Sequence, residues 1–82
     1  MGKAGLALRQ VLTAYGISQN KLALTMGIPR SIVFKWFHGH RDPTAETVRE
    51  IAKALQGLDR AAADEFVRLY LGEFLEDSDD RT

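Results

Sequence analysis

The chain has 82 residues, 45% of them apolar, which is enough for one small domain with a single modest core. The absence of cysteine excludes disulfide bonds, thiolate nucleophiles and cysteine-ligated zinc. The formal net charge is zero, but residues 42–82 contain all eleven acidic residues, whereas residues 1–41 contain six basic residues and no acid.

Apolar residues at helical spacing predict a first helix over residues 4–15. Its inward side chains are those of Leu8, Val11, Leu12 and Tyr15. Gly16 follows as a stop signal, and Ser18 is a favourable N-cap for a short second helix over residues 19–26. This second helix is expected to end at Gly27.

The third predicted helix spans residues 30–38, with Pro29 at its opening and Gly39 at its end. At about 100° per residue, Val33, Trp36 and Phe37 share an inward face. The opposite face carries Ser31, Lys35 and His38, and the shoulder between the two faces carries Arg30 and Phe34. The aromatic cluster of this helix therefore divides into an inward part and an outward part.

Two further helices are predicted, over residues 45–55 and 60–75. Thr44 is the expected N-cap of the first and Gly57 its stop, and Asp59 is the expected N-cap of the second. The second carries an apolar stripe of Phe66, Leu69, Tyr70 and Phe74. This stripe either closes the core or forms a homodimer contact.

No segment shows the alternation of apolar and polar residues that is typical of a strand. We therefore predict an all-α fold of five helices in a single domain over residues 1–75. Residues 76–82 are predicted to form an acidic, flexible tail.

The second and third helices are joined by the short turn Gly27-Ile28-Pro29, which is typical of a helix-turn-helix. The outward face of the third helix suits a DNA major groove, because Arg and Lys donate to guanine and Ser bonds to several bases. An apolar side chain such as Phe34 can contact a thymine methyl group. The acid-free first half of the chain agrees with an anionic partner.

A series of features follows in order and at fixed spacing: Ser18-Gln19, Leu22-Ala23, Gly27-Ile28, Val33, Trp36, Gly39, Arg41, Pro43-Thr44, Glu46-Thr47 and Ile51-Ala52-Lys53-Ala54-Leu55. Together they resemble the lambda-repressor-like helix-turn-helix family of transcription regulators, often called the xenobiotic-response-element family. The resemblance covers residues 6–56, about two-thirds of the chain. It implies a lambda-repressor-like DNA-binding domain that recognises double-stranded DNA. If the apolar stripe of the fifth helix forms a homodimer, two recognition helices read a pseudo-palindromic operator.

The resemblance also implies individual roles. Gln19 is expected to contact a phosphate and to steady the recognition helix. The expected base-reading residues are Arg30, Ser31, Phe34 and Lys35. The expected backbone contacts are His38, His40 and Arg41, joined by the basic side chain of Lys21 on the second helix.

Two positions depart from the family pattern. Position 37 is often acidic in this family and pairs with an arginine at the position that Leu12 occupies here. We expect Phe37 to pack against Leu12 in place of that ion pair. Many family members carry a polar residue at position 34, so Phe34 makes the usual amide-to-adenine contact impossible there.

His38 and His40 allow two interpretations. They provide only two metal ligands and the nearest acid, Asp42, lies beyond a basic residue, so we expect no metal site. Exposed histidines beside phosphates are the better interpretation, and DNA affinity would then rise as the pH falls.

Other classes of site have less support. A single-strand stacking platform would need Phe34, Trp36 and Phe37 on one accessible surface, and their helical angles separate them. The chain shows no catalytic serine arrangement and no glycine-rich phosphate loop, so we expect neither an enzyme nor a cofactor.

The predicted function is that of a sequence-specific DNA-binding transcriptional regulator. The alternative is a protein-interaction module, antitoxin-like or adaptor, that reuses the fold and holds a partner through its acidic C-terminal half. No apolar run approaches the ~20 residues of a membrane span, so no membrane partner is expected. We expect a cytoplasmic protein, associated with the nucleoid of a bacterium.

Overall fold

The computed structural model describes the backbone of residues 2–80 and the side chains of residues 2–72. Its five helices are α1 (Lys3–Tyr15), α2 (Gln19–Met26), α3 (Arg30–Phe37), α4 (Ala45–Leu58) and α5 (Arg60–Asp80). The described residues form no strand, and the all-α prediction is confirmed. Within this part of the chain, none of the helices combines the length and the apolar character needed to cross a membrane.

The boundaries of α1 and α2 follow from their capping residues. Gly16 ends α1 and Gly27 ends α2 in the left-handed conformation, with φ angles of 64° and 71°. A side chain with a Cβ atom rarely adopts this conformation, and glycine does so without steric cost. At the start of α2, the Ser18 side chain accepts a hydrogen bond of 2.9 Å from the backbone N–H of Lys21. These three predicted boundary signals are confirmed.

The core is formed by side chains from all five helices. Its largest fully buried members are Leu8, Val11, Leu12, Leu22, Val33, Ile51, Leu55 and Phe66. Each such side chain contributes about 1.5–3 kcal/mol by leaving water. Helix α1 packs on α3 and α5, α2 packs on α3 and α4, and α4 packs on α5. The recognition helix predicted from the sequence is thus held against the core from two sides.

Three helix ends differ from the predictions. Helix α3 ends at Phe37 rather than at residue 38, because the backbone N–H groups of His40 and Arg41 both donate to Lys35 O and fold the chain back. Helix α4 runs through Gly57 to Leu58, since the Asp59 N–H still donates to Leu55 O at 2.7 Å.

The prediction that Gly57 stops α4 was therefore wrong. Asp59 ends α4 instead and also caps α5, because its Oδ1 accepts a 3.0 Å hydrogen bond from Ala61 N. Helix α5 continues to Asp80, beyond the predicted end at residue 75. The side chain of Phe74, assigned to the apolar stripe, lies outside the described residues.

Tyr15 does not join the core as its spacing predicted. It is the last residue of α1 and is 38% exposed, because the chain turns away at Gly16. Of the stripe on α5, Phe66 is fully buried and Leu69 and Tyr70 are half-buried against the core. The core therefore ends one helical turn earlier along α1 than the periodicity indicates.

Asp42 connects the loop after α3 to the start of α1. Its Oδ1 accepts a 2.9 Å hydrogen bond from the backbone N–H of Gly5, the third residue of α1. The local N-cap, Gly2, has no side chain that could do this, and a Cβ atom at Gly2 would overlap with the Asp42 carboxyl group. A carboxylate at a helix N-terminus is favourable, because it meets free N–H groups and the positive end of the helix dipole.

Candidate nucleic-acid interface

The connection between α2 and α3 is three residues long and tightly hydrogen-bonded. The Ile28 N–H donates to Ala23 O at 3.1 Å, and the Ile32 N–H donates to Pro29 O at the same distance. Ile28 and Ile32 also pack against the core from this turn and from α3. The two helices are consequently fixed relative to each other as a helix-turn-helix unit.

The division of α3 into two faces is confirmed. Val33 is fully buried and Trp36 is only 5% exposed, whereas Ser31 and Lys35 are exposed. Phe37 is half-buried rather than buried. Buried anchors on one side thus present the polar side of α3 to solvent in a fixed orientation.

Four of the predicted DNA-contacting residues line one groove. The groove lies between α1, α2 and α3, has a volume of about 760 Å³, and includes Gln19, Arg30, Ser31 and Phe34. Its apolar lining is contributed by Leu12, Ile17 and Phe37. The packing of α2 against α3 places Gln19 beside the residues of α3, and the packing of α1 against α3 adds Leu12.

Phe37 and Leu12 line this groove together, and Phe37 packs against the core cluster to which Leu12 belongs. A further contact was missed by the sequence analysis. The Cζ atom of Arg9 lies 5.6 Å from the centre of the Phe37 ring, within range of a cation–π interaction. The presence of Arg9 one turn before Leu12 was the available signal, because residues three apart share a helix face.

Phe34 lies in a cluster of rings at the C-terminal end of α3. Its ring centre is 4.1 Å from that of His38 and 6.1 Å from that of His40. His38 also meets Phe37 edge-on at 5.2 Å. The helical wheel places His38 on the face of Ser31 and Lys35. Because His38 follows Phe34 by four residues, the sequence nevertheless indicated that these two side chains lie close together.

The remaining predicted contacts lie on exposed surface outside the groove. Lys21, Lys35 and Arg41 are all exposed. The Lys35 carbonyl accepts hydrogen bonds from His40 N at 2.9 Å and Arg41 N at 3.3 Å, so the loop after α3 stays close to the end of that helix. Cationic and imidazole side chains are thereby gathered around the end of α3.

The N-termini of α2 and α3 both border the groove. Gln19 is the first residue of α2 and is half-buried, and Arg30 is the first residue of α3. Pro29 gives α3 no side-chain cap, which leaves N–H groups of its first turn for an outside acceptor. Helix N-termini favour anions such as phosphate for this reason.

The electrostatic surroundings of the groove agree with an anionic ligand. No acid precedes Asp42 in the chain, and the Asp42 carboxylate is engaged with Gly5 N at the start of α1. Arg30 lines the groove, and Arg9 contacts the ring of Phe37, which also lines it. Positive charge on this side is therefore not neutralised by carboxylates from the first half of the chain.

The geometry also bears on two other interpretations, a metal site at the histidines and a stacking platform for single strands. The ring centres of His38 and His40 are 6.3 Å apart, and no cluster of three or more potential metal ligands occurs among the residues that the structure describes. Trp36 is buried, so Phe34, Trp36 and Phe37 do not form one exposed stacking surface.

A family model described as "Helix-turn-helix" matches residues 8–60, which run from Leu8 within α1 through α2, α3 and α4 to the first residue of α5. No curated protein sequence and no solved structure matches the chain significantly.

Proposed function

Because this chain belongs to the lambda-repressor-like helix-turn-helix family, whose members bind DNA, we propose that it is a sequence-specific transcription regulator that inserts α3 into the major groove. One observation carries this proposal. Gln19, Arg30, Ser31 and Phe34 line a single groove, and all four come from the acid-free first half of the chain. This is the set of polar, cationic and apolar side chains that base edges and phosphates require.

The proposed roles follow from where each side chain lies. Arg30, Ser31 and Phe34 on the groove side of α3, with Lys35 beside them, read base edges. Gln19, at the start of α2, contacts a phosphate at the other side of the groove. The exposed residues Lys21, His38, His40 and Arg41 contact the DNA backbone.

We extend the proposal to a homodimer formed through α5. Val67 and Leu71 are 41% and 42% exposed and lie one turn apart on that helix. Two copies joined there would present two recognition helices to a pseudo-palindromic operator, about 34 Å apart. We propose that the regulator acts in the cytoplasm of a bacterium, in association with the nucleoid.

The dimer is tested by analytical ultracentrifugation over a concentration series. We expect Val67→Glu and Leu71→Glu to shift the protein towards monomer, because a buried carboxylate without a partner is strongly unfavourable. Leu24→Glu is the matched control, since Leu24 is an exposed leucine on α2. A wild-type chain that remains monomeric at high micromolar concentration would refute the dimer.

DNA binding is tested by selection from random duplex DNA, followed by fluorescence anisotropy on the selected sequence. Neutralising roughly four to six phosphates predicts a log–log salt dependence with a slope of about −4 to −5. Specific binding appears as tighter binding of the selected sequence than of a scrambled duplex of the same composition.

The same experiment addresses the second candidate function, an antitoxin-like or adaptor module. The observation that favours it is the acidic second half of the chain, with eleven acids against five bases over residues 42–82. A module of this kind does not bind random duplex DNA even at low salt. Such a result would refute DNA regulation and leave partner binding.

A further inference from the structure

Phe34 is an exposed aromatic residue on the proposed base-reading side of α3. Its side chain is 45% exposed, although Val33 and Trp36 next to it on the same helix are buried. It lines the groove with Arg30 and Ser31, which precede it by four and three residues. Its ring therefore lies among the side chains that would face base edges.

The orientation of this ring is set by its neighbours. The imidazole of His38 lies 4.1 Å from it at an interplanar angle of 45°, and that of His40 lies 6.1 Å away, edge-on. Aromatic rings at these separations attract each other. The ring is thereby held by two other rings at the surface.

A phenyl ring limits what can be recognised at this position. It has no donor or acceptor, so it cannot pair with the hydrogen-bonding groups of guanine, adenine or cytosine and would cover them without compensation. The apolar group that a base presents in the major groove is the C5-methyl group of thymine. Cytosine offers the same group when it is methylated at C5.

We propose that Phe34 selects a 5-methylpyrimidine, thymine or 5-methylcytosine, at the operator position that it faces. The inference rests on the proposed function, because it assumes that α3 enters the major groove. His38 and His40 act as positioning residues that keep the ring at the surface. The methyl group and the ring then cover each other from water, which is favourable in proportion to the apolar area removed.

The test uses the full chain and an operator selected from random DNA. Each thymine is replaced in turn by deoxyuridine, which lacks only the methyl group, and the Kd is measured at constant salt. We expect one thymine per half-site at which the replacement weakens wild-type binding about fourfold, which corresponds to roughly 0.8 kcal/mol for one buried methyl group. A duplex with cytosine at that position should bind poorly, and methylation of this cytosine at C5 should strengthen binding about fourfold.

Variants at position 34 connect the effect to this side chain. Phe34→Ala should bind the thymine and deoxyuridine duplexes equally, whereas Phe34→Leu, which stays apolar, should keep part of the preference. Because Phe34 is exposed, neither change is expected to unfold the protein, and thermal unfolding of both variants checks this.

The outcomes separate the inference from the function on which it rests. The methyl-reading role is overturned if an operator is bound but replacement by deoxyuridine has no effect, or if its effect is as large in Phe34→Ala as in the wild type. DNA regulation stands in either case. If no duplex is selected at all, the proposed function fails, and this inference fails with it.

Discussion

The guanidinium carbon of Arg9 on α1 lies 5.6 Å from the centre of the Phe37 ring on α3. The resemblance to the family implies an acid at position 37 that pairs with an arginine at the position of Leu12. In this chain the cation beside position 37 is Arg9, and it meets the face of an aromatic ring. Arg9 and Phe37 thus connect α1 to α3.

This contact should contribute measurably to stability. Arg9→Ala is expected to lower the free energy of unfolding by about 0.5–1 kcal/mol, the usual range for an exposed cation–π pair. A double-mutant cycle with Phe37→Leu, followed by urea denaturation, isolates the pair from other effects of each change. Additive effects of the two substitutions would show that Arg9 and Phe37 do not interact.

Asp42 should stabilise α1 although it lies 37 positions from Gly5 in the chain. Asp42→Ala removes the acceptor of the Gly5 N–H and is expected to cost about 1 kcal/mol, as loss of an N-cap does. Gly2→Ala should also destabilise the fold, because its Cβ atom would overlap with the Asp42 carboxyl group.

The two changes give a sharp control when they are combined. Alanine at position 2 should be far less harmful in the Asp42→Ala background, since the obstructing carboxyl group is then absent. Thermal or urea unfolding of the four proteins provides the comparison. An equal cost of Gly2→Ala in both backgrounds would contradict the proposed contact.

Gly57 is a glycine within α4 that the fold does not require. Nothing lies within 4 Å of a Cβ atom built there, and Gly57→Ala is expected to stabilise the protein by about 0.5 kcal/mol by reducing the entropy of the unfolded chain. Gly27→Ala is the matched control, because a φ of 71° should make alanine cost about 1–2 kcal/mol. Denaturation midpoints measure both, and a destabilised Gly57→Ala variant would contradict the prediction.

Lys35 should contribute to DNA binding but little to folding. It is exposed on α3, and Lys35→Ala is expected to weaken operator binding by about 1–3 kcal/mol if the ammonium contacts a base. Lys53→Ala is the matched control, since Lys53 is an exposed lysine on α4. Anisotropy titrations of the two variants decide the assignment, and equal affinities would reject a role for Lys35.

Local signals were sufficient for most of the helix boundaries. Ser18 and Thr44 cap the helices that follow them, because the side-chain oxygen of each accepts a hydrogen bond from the backbone N–H three residues on. The end of α4 was misjudged because glycine permits many conformations, and the continued hydrogen bonding to Asp59 decides between them. Capping can be read from sequence because its partners are only a few residues apart.

Only some of the contacts among the rings at the end of α3 could be predicted from the sequence. The helical period separated buried Trp36 from the polar face, but it left Phe34 undecided on the shoulder between the two. Contact with His38 was within reach of the spacing, whereas contact with His40 depends on how the chain folds back after α3. The helical period does not predict the position of His40, because this residue lies beyond the end of α3.

The all-α class, the helix-turn-helix order and the separation of basic and acidic halves could be predicted from the sequence, because caps, helical period and charge are local properties. Contacts between residues that are far apart in the chain could not, because they arise from the packing of the helices. The groove shared by Leu12 and Phe34 depends on the packing of α1 against α3, and the contact of Asp42 with Gly5 spans 37 positions. Such contacts depend on how the helices pack around the common core, which no local pattern specifies.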